Sequence, residues 1–299
     1  METAVMQTLD MKLPAQSMRP CAQSLAMEPY SFDIVGKTYK IRLARDMSDR
    51  LKSWNFVHRA YAAKGYAPDN AQGLWYGIHD ALPETLTFLT ERDGRLVASL
   101  TLVFDSPIGI PADELYADSL SELRNGGRRL CEIVSLVNIE KSISAGTKII
   151  RHLFKLAYLA AYNLESATDF VITVNPRHKI YYQKGLLFEE VGEERNYGKV
   201  NGAAAVLLRL DMIAAQTVYK ERFNHLEGER NFYKFFRDRQ DHWLRWLHAG
   251  RTRLTPTELE EHFLCNPNLC AHTSKEKMAY AAACYATQSS VWLKQERQR

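Results

Sequence analysis

The sequence predicts an α+β protein built on one mixed sheet, and three observations predict it. Two β-rich runs, Thr85 to Glu91 and Arg95 to Phe104, are joined through Asp93-Gly94, a dipeptide suited to the positive φ values of a tight hairpin. A nearly continuous apolar strand, Arg129 to Ile139, leads into an amphipathic helix over Gly146 to Tyr162 and a second apolar strand, Asp169 to Val174. Two last strands, Phe188 to Glu193 and Ala204 to Leu210, flank a turn at Asn201-Gly202. Strands and helices in this order fit helices packed on a single sheet of mixed direction.

Residues 1 to 29 mix Met, Gln, Ser, Ala and Pro without helical or strand period, which predicts a disordered tail. From Tyr30 the pattern changes. Tyr39, Ile41 and Leu43 alternate with polar residues as in a half-buried strand, and Met47 to Lys64 spaces Leu51, Trp54, Val57 and Tyr61 as a helix would. Ser106 to Pro111 reads as a loop, and Asn175-Pro176 stops the second apolar strand before a short helix over His178 to Lys184. The domain with the sheet is expected to span 30–212. Beyond it, 213–299 reads as a helical extension. Tyr219 to Arg253 is compatible with helix throughout, and Thr255-Pro256-Thr257-Glu258 is a capping box with Pro at the first helical position.

A net charge of +4 and a pI near 8.7 describe a mildly basic surface, which favours acidic partners without demanding nucleic acid. The five cysteines, Cys21, Cys131, Cys265, Cys270 and Cys284, are odd in number and scattered. That pattern fits a reducing cytoplasm better than a disulfide framework. No stretch approaches the roughly 20 apolar residues of a membrane span, and the first 29 residues lack the layout of a signal peptide. His262, Cys265, Cys270 and His272 are of metal-ligand type, but their spacing matches no strong template, so no metal is expected.

Three segments resemble one family: Thr85 to Pro111, the strand Arg128 to Leu136, and Asn175-Pro176-Arg177-His178 with Tyr181-Tyr182 and Phe188-Glu189-Glu190. Over about residues 40 to 212 they look like the FeeM-type N-acyl amino acid synthases, distant relatives of the acyl-homoserine lactone synthases. The resemblance implies a GNAT-like acyl-CoA N-acyltransferase fold and transfer of a long acyl chain from a thioester to the α-amine of an amino acid. Two positions depart from the family pattern: Ser135 stands where these relatives usually have Arg, and Leu187-Phe188 replaces a Gly-Phe pair. The Gly-rich phosphate loop of acetyl-CoA enzymes is missing from Glu140 to Thr147, which contains only Gly146. That absence favours an acyl carrier protein thioester over acetyl-CoA, with no tightly bound cofactor. An acyl-homoserine lactone type synthase, an acetyl-CoA-dependent N-acetyltransferase and a non-catalytic acyl-carrier or lipid-binding module are the alternatives.

Glu132 is the sharpest candidate, because a charged carboxylate among apolar strand residues is costly unless paired or retuned. Two readings stand: a general base for the acceptor amine, or a buried ion pair with Arg128 or Arg177. Asn175, Arg177 and Ser135 are expected to bind substrate, and His178 to relay a proton. The resemblance implies that Tyr182 protonates the departing thiolate, with Tyr181 competing for that role. Lys148, Arg151, His152 and Lys155 recur at i, i+3, i+4 and i+7 and form a basic stripe on one helix face. With Lys141 and Thr147 at the helix entrance, the stripe is expected to dock an acidic carrier protein and its pantetheine phosphate; an ordinary solvated face is the other reading. The loop 106–111 is expected to help enclose the acyl tail.

Overall fold

The computed structural model describes residues 29–67, 70–238 and 241–296; the expected tail lies, except for Pro29, outside them. Strands β1 (Tyr30–Ile34) and β2 (Lys37–Leu43) form a hairpin whose turn, Val35-Gly36, has positive φ at both residues. Helix α1 (Met47–Ala62) follows, capped by Asp46, whose side chain accepts from the Asp49 amide at 2.8 Å. Strands β3 (Leu86–Arg92) and β4 (Arg95–Phe104) are the hairpin read from Asp93-Gly94, with φ of 52° and 69° at its turn. Helix α2 (Asp113–Asn125) leads to β5 (Leu130–Asn138), and α3 (Ile143–Tyr158), capped by Ser142, leads to β6 (Asp169–Val174). Helix α4 (Lys179–Leu186), β7 (Glu189–Tyr197) and β8 (Ala203–Asp211) complete the family-like part.

The strands form an eight-stranded sheet in the order β1-β2-β3-β4-β5-β6-β8-β7. Every neighbouring pair is antiparallel except β5 with β6. That parallel pair is brief, joining only Leu130–Glu132 to Asp169–Val171. A register shift between Ser99 and Thr101 puts an extra residue into β5 opposite β4, and within it Ser135 takes a φ of +51°. A non-glycine residue in the left-handed region marks a bulge that bends its strand. Past Glu132, β5 and β6 no longer pair, and a cleft opens between them.

Helix α3 buries Ile149, Leu153, Phe154 and Leu156 on one face of the sheet, against Ile41, Leu100, Cys131 and Ile133. Tyr116 and Leu120 of α2 cover the other face over Val103, Leu130 and Val171. The C-terminal extension packs against both sides. Helices α5 (Met212–Phe223), α6 (Phe232–Arg237) and α7 (Asp241–Ala249) add Tyr219, Phe223, Trp246 and Leu247 to the α3 cluster. The continuous helix compatible with Tyr219 to Arg253 is therefore broken, and Gly228 with φ of +57° opens one of the breaks. Helix α8 (Pro256–Leu259), the π-helical turn Glu260–Leu264 that continues it, α9 (Pro267–His272) and α10 (Lys275–Glu296) bring Leu259, Phe263 and Tyr285 to Trp54 and Ile78. The capping box read at Thr255 and Glu258 starts α8. Among the described residues no helix is long and apolar enough to cross a membrane, and no group of three His, Cys, Asp or Glu is placed to hold a metal ion.

Candidate active site

The cleft between β5 and β6 is the mouth of a cavity of about 220 Å³. The end of α1, the segment Trp75 to Asp80, the two splayed strands, and the turn between β7 and β8 line it. Glu132, at the last position where β5 pairs with β6, lies in its wall and is 2% exposed. The Ala112 amide donates to Glu132 Oε2 at 2.7 Å, and Thr173 Oγ1 reaches Oε1 at 3.5 Å. Burial raises the carboxyl pKa to about 8; the Ala112 amide and the Lys199 ammonium oppose that rise without overcoming it. At neutral pH the group is largely protonated and close to its titration range.

The ion-pair reading of Glu132 fails because both candidate arginines are engaged elsewhere. Arg128 Nε donates to Asp169 Oδ2 at 2.6 Å and Nη2 pairs with Asp211 at 2.7 Å, while Arg209 binds the other oxygen of Asp169 at 2.6 Å. This cluster ties the base of β6 to β8 and to the start of β5. Arg177 is exposed, with Nη2 donating to Tyr66 Oη at 2.5 Å and Nε donating to His178 Nε2 at 3.2 Å.

The sequence-predicted residues divide. Glu132, Ser135, Asn175, His178 and Tyr182 line the cavity together; Arg177 does not, though its two partners Tyr66 and His178 do. Asn175 spends its side chain on the backbone: Nδ2 donates to Ala204 O at 3.2 Å and Oδ1 accepts from the Arg177 amide at 3.2 Å. It ends β6 and caps the following turn, so its side chain is held by the backbone at the cavity wall. His178 sits at the rim, its pKa lowered by desolvation and by Arg177 and Lys64. Tyr182 is 7% exposed, and its ring meets Tyr181, Phe188 and Phe154. Burial pushes its pKa well above the usual tyrosine value. Tyr181 lies outside the cavity lining, which separates the two tyrosines.

The basic stripe is not an open face. Lys155 is 2% exposed, its Nζ donating to Asp238 at 3.0 Å between the rings of Phe235 and Trp243. Lys148 pairs with Glu229 at 2.8 Å, and Arg151 donates to Glu229 O at 3.0 Å with its guanidinium over Phe232. His152 shares a hydrogen bond of 2.7 Å with Tyr30 and stacks on Phe32. The stripe is closed at Lys155 and partly covered at Lys148, Arg151 and His152, because the extension brings its own acidic and aromatic side chains to it. Lys141 stays exposed beside the start of α3, while Thr147 bonds its hydroxyl to Ile143 O at 2.9 Å. The loop 106–111 also differs from expectation: Ile108 and Ile110 are buried in the core, and Pro111 alone of that loop lines the cavity.

Sequence reading missed Tyr61, His79, Tyr197 and Lys199, which also line the cavity. It missed, too, an apolar cavity of about 320 Å³ under α5 and α6, lined by Phe154, Phe170, Leu210 and Tyr219 among others. Phe154 of that second cavity and Tyr182 of the first have ring centroids 6.2 Å apart.

The mixed sheet, its one parallel pair splayed over a buried carboxyl, is of the GNAT-like kind, and the family match makes the chain an acyltransferase. Residues 52–211 match the model of the family described as N-acyl amino acid synthase FeeM, and the chain belongs to that family. The structure of FeeM from uncultured soil microbes is similar with a TM-score of 0.52 and 22% identity, over 60% of this chain and 94% of that one. An N-acetyltransferase from Staphylococcus aureus Mu50 shows 15% identity and a TM-score of 0.40, over 58% of this chain and 98% of its own. The AHL synthase LasI shows 13% and 0.40, over 62% and 91%. No curated protein matches the chain.

Proposed function

We propose that this acyltransferase is an N-acyl amino acid synthase, moving a long acyl chain from an acyl carrier protein thioester to the α-amine of an amino acid. One observation supports this most: Glu132 is buried in the cleft without a cationic partner and its pKa stands near 8. A carboxylate so tuned takes a proton from an ammonium group far better than an exposed one. In this reading the free amine attacks the thioester carbon, the C–N bond forms and the C–S bond breaks. Tyr182 gives its proton to the departing thiolate, and His178 at the rim passes the proton collected by Glu132 to solvent. Ser135, on the bulge, borders the acceptor, and Arg177 at the rim attracts its carboxylate.

In this reading the donor's phosphate binds at the start of α3, beside Lys141 and Thr147. With Lys155 covered, carrier docking falls to Lys141 and to what Lys148 and Arg151 leave exposed. The apolar cavity behind Phe154 offers room for the far end of a long chain. A cytoplasmic location follows from this choice of donor. Incubating the protein with carrier-bound acyl chains of several lengths and each of the twenty amino acids, and reading products by mass, tests the proposal. An N-acyl amino acid supports it; transfer from acetyl-CoA alone, or no product from any pair, counts against it.

A further inference from the structure

The second cavity, of about 320 Å³, is walled by the C-terminal extension as much as by the sheet. Ala215 and Tyr219 of α5 with Tyr233 and Phe236 of α6 close it over Phe154 and Phe170. Both helices lie past residues 52–211, the part that matches the family, so this room is a product of the extension. Tyr219 Oη donates to Leu186 O at 3.0 Å, which pins α5 to the end of α4 and holds the wall in place.

The lining differs in chemistry from floor to rim. Phe154, Phe170, Leu186 and Ala215 are buried and make an apolar floor, whereas Gln216 and Arg237 are exposed and stand at the rim. Between them Tyr158 and Tyr162 stack with ring centroids 5.4 Å apart. Tyr162 belongs to the π-helical turn Leu159–Leu164 that ends α3, a wide kind of turn that recurs at functional sites. Arg237 Nη1 donates to Tyr233 Oη at 2.5 Å, and no carboxylate among the described residues pairs with it. Its neighbour Asp238 is turned to Lys155 instead. Among the described residues no Asp or Glu lines the cavity. An apolar floor below a guanidinium without a carboxylate complements a ligand with an aliphatic tail and an anionic head. The guanidinium fork grips a carboxylate through two hydrogen bonds, and affinity rises with each methylene buried.

We propose that this cavity binds an aliphatic carboxylic acid, either a fatty acid or an N-acyl amino acid, with its carboxylate on Arg237 and its tail against Phe154 and Phe170. The site stands on the cavity and on Arg237; only its consequence rests on the acyl-transfer reading. A tail seated from the rim fills the room which that reading gives to the far end of a donor chain. The bound acid therefore excludes long acyl donors and spares short ones.

Calorimetric titration of the full chain at neutral pH tests the site without turnover. Decanoate or N-decanoylglycine should bind, and the tighter of the two identifies the source of the ligand. Butanoate, with the same head, and decyltrimethylammonium, with the same tail, should each bind about tenfold or more weaker. Arg237→Gln should weaken binding of the acid about tenfold or more, the loss expected for a hydrogen bond between charged groups. Ala215→Phe, which fills the floor, should abolish it. Arg237 is exposed, so its replacement decides the matter even where Ala215→Phe does not fold. No binding of either acid, equal affinity for the ammonium compound, or an affinity unchanged in Arg237→Gln overturns the proposal. In turnover assays, decanoate should raise the apparent KM for a long-chain donor and leave that for a butanoyl donor unchanged. Binding without this effect supports the site and takes the far end of the donor chain out of the cavity. Binding without any N-acyl amino acid product supports the site and removes the synthase reading.

Discussion

Arg128 clasps Asp169 at 2.6 Å rather than Glu132, which leaves the Glu132 carboxyl in the cleft wall without an ion-pair partner among the described residues. Asp169 is fully buried between Arg128 and Arg209, so the same pairing that frees Glu132 also fixes β6 beside β8. Removing one member strands buried charge. Asp169→Asn is expected to cost about 3 kcal/mol of stability, read from urea unfolding. A change within about 0.5 kcal/mol would show that the cluster does not hold the strands.

Glu132→Gln keeps the volume and the acceptor for the Ala112 amide, and turnover should fall about 100-fold without unfolding. Stability carries a second signature. The folded-state pKa lies above the ordinary value of 4.5, so the folded protein holds a proton that the unfolded chain releases. Wild type should lose stability relative to Glu132→Gln as pH rises from about 4.5 towards 8, and the difference should level off above that range. Unfolding curves of both proteins at several pH values check the sign; a difference independent of pH would refute it.

Ser135 holds its left-handed conformation at the bulge that opens the cleft. Ser135→Gly should be neutral or stabilising, whereas Ser135→Val, which resists positive φ, should cost about 1 to 3 kcal/mol. Equal effects of the two changes in thermal unfolding would mean that the bulge is not under strain.

The covered stripe separates its lysines. Lys155→Glu would set a buried carboxylate against Asp238 and should destabilise the protein by about 3 kcal/mol or more, while Lys155→Met, of similar length, should be tolerated far better. Lys148→Glu, at a pair whose Glu229 side chain is 70% exposed, should stay within about 1 kcal/mol. Comparable losses for Lys148→Glu and Lys155→Glu in urea unfolding would contradict the packing described.

How much of this was legible in the sequence depended on whether the signal was local. The hairpin at Asp93-Gly94, the apolar strands around Glu132 and Asp169, and the capping box at Thr255 carry their cause within a few residues, and each is present. Helix α2 went unread because Ala112 offers no side-chain cap and Tyr116 departs from helical geometry at φ of −130°. Strand β1 went unread because Val35, a β-branched residue, occupies the positive-φ turn where glycine or asparagine is the usual signal. The basic stripe is periodic whether water or another helix covers it, so spacing alone does not tell the two apart. Glu132 stood out as a charge in an apolar run, but His79 is a single histidine in a short turn, and only the assembled fold brings it into the same cavity lining as Glu132.

Glu132 serves as base in this site only as a buried carboxyl without a cation, and infrared difference spectra of wild type against Glu132→Gln read that state directly. A protonated-carboxyl band should be present at pH 6 and should give way to a carboxylate band with a midpoint near 8. A carboxylate already ionised at pH 6, with no further change up to pH 9, would mean that a cation neutralises Glu132 after all and that it is not the base of this site.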